Sequence, residues 1–140
     1  MKELILYYTI GGTCRFYAEK RAKESGADVL EIKEPKKRSK LGAFCPGVFQ
    51  ALGQKSSNIL PLEKNLDEYD KIILVTPIWA GHQAPAMNSV AALIPKGKKV
   101  EIVTLSGAGN FNYGDNLAAI VKDFGGEIVE KTNIKAGSLK

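Results

Sequence analysis

Leu4-Ile5-Leu6-Tyr7-Tyr8-Thr9-Ile10-Gly11-Gly12-Thr13-Cys14 joins an unbroken apolar run to a turn with two glycines. A run that is apolar at every position marks a strand covered on both faces, as in a parallel sheet. Past the glycines, Cys14, Ala18 and Ala22 recur every four residues with Tyr17 alongside. That spacing predicts a helix from Cys14 to Ser25, ended by Gly26. A strand feeding a helix through a tight turn opens an α/β domain.

The same alternation continues along the chain. Asp28 to Ile32 reads as a second strand, and Ile72-Ile73-Leu74-Val75 as a third, apolar throughout. Pro85 suits the first turn of a helix whose inner face is Met87, Val90, Ala91 and Ile94, stopped by Pro95 and Gly97. Val100 to Leu105 gives a fourth strand. Leu117, Ile120, Val121 and Phe124 then mark an amphipathic helix closed by Gly125-Gly126, and Glu127 to Ile134 a fifth strand. Between Pro35 and Asn65 the pattern is least regular, and Val48, Phe49, Ala51 and Leu52 predict a short helix there. Strands alternating with helices imply right-handed crossovers and a doubly wound parallel sheet of five strands.

Composition narrows the class. At 140 residues, 44% hydrophobic and 25% charged, residues 1–140 read as a single globular domain. No apolar run is long enough to span a bilayer, so no membrane role is expected. Cys14 and Cys45 form neither a disulfide framework nor a zinc site, which suggests reduced thiols and a cytoplasmic location. The net charge is +5, and Lys33, Lys36, Lys37, Arg38 and Lys40 cluster. Such a patch could steer an acidic partner, although a solvated loop is the plainer explanation. No motif for nucleic acid accompanies it.

Three separated segments carry the chemistry: Thr9-Ile10-Gly11-Gly12-Thr13-Cys14, Thr76-Pro77-Ile78-Trp79-Ala80-Gly81, and Ser106-Gly107-Ala108-Gly109-Asn110. Each follows a predicted strand, so all three converge at the carboxyl edge of the sheet, where ligands bind. The first is either an anion site at a helix N-terminus or an ordinary Gly-Gly turn with Thr13 as N-cap. In the second, Trp79, the only tryptophan, is expected in a loop, as a platform for a flat ring. In the third, glycines offer backbone donors, while Phe111 and Tyr113 either face the same ring or pack beneath a loop. A phosphorylated planar cofactor would use all three.

Other candidates are weaker. Gly107-Ala108-Gly109 is not a dinucleotide fingerprint, because Asn112 takes the place of the last glycine and the loop follows the fourth strand. His82, the sole histidine, reads as a surface loop residue. Cys14 at a helix N-terminus could be a nucleophile, but Lys20 stands where a phosphatase of the low-molecular-weight type needs arginine. No catalytic residue and no metal ligand is assigned.

These segments, with Tyr69-Asp70 before the third strand and Ala84-Pro85-Ala86 after Trp79, resemble the flavodoxin family over most of the chain. The resemblance implies strand order 2-1-3-4-5, as in flavodoxin. It also implies non-covalent FMN. Thr9, Ile10, Gly11, Gly12, Thr13 and Cys14 would hold the phosphate; Pro77, Ile78, Trp79, Ala80 and Gly81 would face the isoalloxazine, with Ser106, Gly107, Ala108, Gly109 and Tyr113 on its other side. Gly11 and Cys14 depart from the hydroxyl or amide side chains usual in the family, which implies weaker phosphate contacts. The implied role is electron carrier or small flavin-dependent reductase; the alternative is a binding or regulatory domain that has lost or weakened FMN binding. The family is often acidic, so this basic chain implies a different, acidic redox partner protein.

The family also continues into a last helix, whereas Lys140 directly follows the fifth strand. An apolar patch on the order of several hundred Å2 is therefore expected on the face of the first helix, covered in a homodimer or by a partner.

Overall fold

The computed structural model describes residues 2–9, 11–34, 59–79, 82–106 and 114–135, with backbone alone for Trp79 and His82. The elements run β1 (Glu3–Tyr7), α1 (Thr13–Ser25), β2 (Asp28–Glu31), β3 (Lys71–Trp79), β4 (His82–Gln83), α2 (Pro85–Ala91), β5 (Lys99–Ser106), α3 (Asp115–Asp123) and β6 (Glu127–Lys135). Five parallel strands lie in the order β2-β1-β3-β5-β6, which is 2-1-3-4-5 counted along the parallel strands. The two-residue β4 folds back antiparallel on the end of β3. The expected helix around Val48 to Leu52 and most of the basic cluster lie outside the described residues.

Alternation along each strand divides the core in two. Leu4, Leu6, Ile72, Leu74, Val100 and Ile102 pack with Met87, Val90 and Ala91 of α2 and Leu117, Ala118 and Val121 of α3. Ile5, Tyr7, Ile73, Val75, Val103 and Leu105 face the other way, against Cys14 and Ala18 of α1. Removing most of a Leu or Ile side chain from either layer costs about 2–5 kcal/mol. In α3 the fourth member of the predicted stripe is displaced: Phe124 is exposed, and Ala118 is buried beside Leu117 and Val121. The helix ends at Asp123, so Phe124 falls on its C-cap and turns out of the core.

Among the described residues, the expected open patch on the α1 face is not found. Ile5, Tyr7, Ile73, Val75, Val103 and Leu105 are each no more than 6% exposed. Tyr17 and Ala22 of α1, with Ala27, Val29 and Ile134, pack around them. The same face also carries a charge where apolar area was expected. Glu101, buried in β5, takes both guanidinium nitrogens of Arg21 at 2.5 and 2.8 Å and Lys71 Nζ at 2.7 Å. Burial alone would raise the Glu101 carboxyl, but the hydrogen bonds from Arg21 and Lys71 outweigh it and hold the pKa below the ordinary value. β6, the last described element, is mostly exposed and polar, and a register shift between Val100 and Glu101 leaves its Val129 unpaired.

Candidate functional site

Because β1, β3 and β5 are neighbours and parallel, Thr9, Trp79 and Ser106 leave the sheet at one edge. Of the predicted site residues, Thr9, Gly11, Gly12, Thr13, Cys14, Pro77, Ile78 and Ser106 are described, as is the backbone of Trp79. Ile10, Ala80, Gly81, Gly107, Ala108, Gly109 and Tyr113 lie outside the described residues.

The first segment builds the start of α1. Gly12, at φ 93°, is the N-cap, and Thr13 is the first helical residue, so the alternative with Thr13 as cap does not hold. A left-handed residue is needed to turn off β1 into the helix, and glycine alone takes that conformation without strain. Thr9 Oγ1 accepts from the Gly12 amide at 2.9 Å, which closes the turn and leaves the Thr9 hydroxyl its own proton to donate. Among the described residues no side chain caps the helix, and no acidic residue stands in its first turn. The amides of Thr13, Cys14 and Arg15 therefore lack the usual side-chain acceptor. A Cβ built on Gly12 meets no described atom within 4 Å, so among the described residues nothing fills this turn.

Cys14 contributes only its backbone here. Its side chain turns into the core beside Ala18, and burial pushes the thiol up to about 12. A thiol so far above neutrality is not the nucleophile that its helix position suggested. Arg15, at the same end of α1, is held by Glu31 at 2.9 Å.

The second segment is a strand end rather than a loop. β3 continues through Thr76, Pro77 and Ile78 to Trp79, and Ile78 and Trp79 pair with Gln83 and His82 of β4. Pro77 was taken as a loop residue, yet it lies in register with Leu105 of β5. Thr76 explains the extension. Its buried hydroxyl donates to the Pro77 carbonyl at 2.9 Å and accepts from the Ala84 amide at 3.1 Å, tying β3 to the chain that returns from the hairpin. His82 is likewise on a strand, not in a loop. At the end of β5, Ser106 Oγ donates to Asn133 of β6 at 3.3 Å.

Two polar groupings were not anticipated. Glu101 with Arg21 and Lys71 is one, and a glutamate inside the apolar run Val100 to Leu105 was the available signal. The other joins Gln83 to Asn88 and Asn116, residues whose sequence positions carry no common period.

By sequence, no family model and no curated protein matches the chain. Solved structures do match in fold. The flavoprotein in complex with FMN from Lactobacillus acidophilus NCFM is 20% identical, with 94% of this chain and 92% of that chain covered at a TM-score of 0.79. The apo-form of the flavoprotein from the same organism is 21% identical over 99% and 97%, at 0.66. Two-electron reduced Megasphaera elsdenii flavodoxin is 18% identical over 96% and 86%, at 0.56. The chain has the flavodoxin-like fold.

Proposed function

We propose that this protein binds FMN at the carboxyl edge of its sheet and serves as an electron carrier or a small flavin-dependent reductase. The observation that carries the proposal is the uncapped first turn of α1, free of carboxylates and open at Gly12, beside the Trp79 hairpin. That turn fits a phosphate: its amides point along the positive end of a helix dipole, and no negative charge in the turn opposes a dianion. The amides of Thr13, Cys14 and Arg15 and the hydroxyls of Thr9 and Thr13 would hold it. Pro77, Ile78, Trp79, Ala80 and Gly81 would lie toward the ring, with Ser106, Gly107, Ala108, Gly109 and Tyr113 opposite. In the Lactobacillus flavoprotein of the same fold, the bound ligand is FMN.

When bound, FMN supplies one- and two-electron chemistry. The chain's own residues then have limited tasks: bind the phosphate, hold the ring at the hairpin, and keep the buried edge of the site dry. Among the described residues no acid–base pair is built into the site, and an electron carrier needs none. The net charge of +5 suits an acidic redox partner. Among the described residues, no helix is long and apolar enough to cross a membrane.

The test is a titration of FMN with purified protein, read by flavin fluorescence and visible absorption. Quenching that saturates at one FMN per chain supports the proposal; unchanged fluorescence with excess protein rejects it. Reduction of the loaded protein by NADH or NADPH would favour reductase over carrier.

A further inference from the structure

We infer that Gln83 is a positioning residue, a latch that holds the Trp79 hairpin onto both helices of the α2–α3 face. Gln83 lies in β4, opposite Ile78 of β3, and is 2% exposed. Its Nε2 donates to Asn88 Oδ1 of α2 at 2.7 Å and to Asn116 Oδ1 of α3 at 3.1 Å. One amide group thus spans three elements. Its Oε1 is buried and has no hydrogen-bond partner among the described residues.

The arrangement is unusual for a residue that merely fills space. β4 has two residues, so its backbone ladder alone holds it weakly. The return of the hairpin is otherwise secured by the Ala84 amide on Thr76. Asn116 is the second residue of α3, and residues 107–113 come just before that helix in sequence. The latch therefore ties the chain leaving the second segment to the chain leaving the third. An apolar side chain of similar size could pack here without a buried acceptor left bare, which costs about as much as the two bonds contribute. The polar choice trades stability for a fixed hairpin position. Its consequence for a flavin rests on the FMN proposal; the latch itself does not.

The backbone amides of Gln83 and Ala84 report on the return of the hairpin through their hydrogen exchange. In apoprotein, Gln83→Met removes the donor at similar volume, and Asn116→Ala removes one half-buried acceptor. The latch predicts that hydrogen exchange of the Gln83 and Ala84 amides speeds up severalfold in both variants while far-UV circular dichroism stays native. The double variant should gain little more, because both changes cut one linkage. In FMN titrations Asn116→Ala should weaken binding about fivefold, the factor of one lost hydrogen bond, and Gln83→Met at least as much because it loses two, with the FMN-to-riboflavin affinity ratio unchanged because α1 is untouched. Should Gln83→Met fail to fold, Asn116→Ala decides by the same measurements. Exchange at Gln83 and Ala84 equal to wild type, with only a lower unfolding midpoint, overturns the latch and leaves Gln83 as packing. If wild type binds no FMN, the proposed function falls while the exchange result still decides the latch.

Discussion

The two ends of α1 are finished differently. At its C-terminus, Gly26 is left-handed and its amide returns to the Ala22 carbonyl at 2.8 Å. Around it, the amino edge of the sheet is tied together. Tyr69 donates to Asp28 at 2.7 Å, Lys2 and Asp70 exchange two hydrogen bonds, and Lys98 reaches the Tyr69 carbonyl. Glu101, Arg21 and Lys71 lie toward the same end. At the N-terminus of α1 no described side chain serves as a cap. Helix ends with unmet polar groups are normally satisfied by some partner. Among the described residues, side chains close one end of the molecule, whereas none caps the helix at the other. Stability and binding are therefore expected to separate along the strands.

The largest effect expected at the closed end comes from Glu101→Ala, which leaves Arg21 and Lys71 facing an emptied, buried site. It should cost about 3–5 kcal/mol in urea unfolding, while the folded fraction keeps its affinity for FMN. A parallel loss of affinity in the folded fraction would break the separation. Acid gives a reversible version. Because the folded carboxyl lies below its ordinary value of 4.5, its contribution is present above that pH and is lost as pH falls through the lower folded value. Glu101→Gln should flatten the acid limb of the stability curve.

At the open end, Gly12→Val is the converse. Its Cβ meets open space, so the fold survives, at a backbone cost of about 1–2 kcal/mol for a left-handed L-residue. FMN retention should be abolished. Wild-type affinity in this variant would remove the phosphate from this turn.

Tyr69→Phe sharpens the contrast on a smaller scale. Loss of the hydrogen bond to Asp28 should lower stability by about 1–3 kcal/mol with no change in flavin binding. Burial and the Asp28 carboxylate hold the Tyr69 phenol up to about 12, so ultraviolet titration should show Tyr69 ionising late, as Tyr7, also raised by burial, does to a lesser degree in wild type and variant alike. The smallest effect concerns Cys14. With its thiol pushed up to about 12, the Cys14 peptide should stay unlabelled by iodoacetamide at pH 8 in native protein and react once unfolded, as followed by mass spectrometry.

Much of this fold was legible because each strand is apolar where the sheet is covered. Leu4 to Tyr8 and Ile72 to Val75 could be little else, and Gly26, Pro85 and Gly125 marked helix boundaries by backbone preference alone. The grouping of Thr9, Trp79 and Ser106 followed from parallel order. What escaped reading depended on side chains meeting across the fold. Trp79 was placed in a loop because Pro77 and Gly81 look like turn residues; pairing with β5 and the Thr76 hydroxyl keep that stretch extended. The α1 face was expected to be partly open because helices were counted, but Tyr17 and the Arg21–Glu101 pair contribute to its cover in ways no periodicity shows. The Gln83 grouping joins residues 5 and 33 positions apart.

The central claim is that the first turn of α1 holds a phosphate, and backbone amide chemical shifts test it most directly. In 15N-labelled protein, FMN should move the amide resonances of Thr13, Cys14 and Arg15. Riboflavin, which lacks the phosphate, should move them far less, and the resonances of Gly26 and Asp70 should stay in place with either ligand. Equal shifts at Thr13 to Arg15 with both ligands, or none with FMN at saturation, would contradict the assignment.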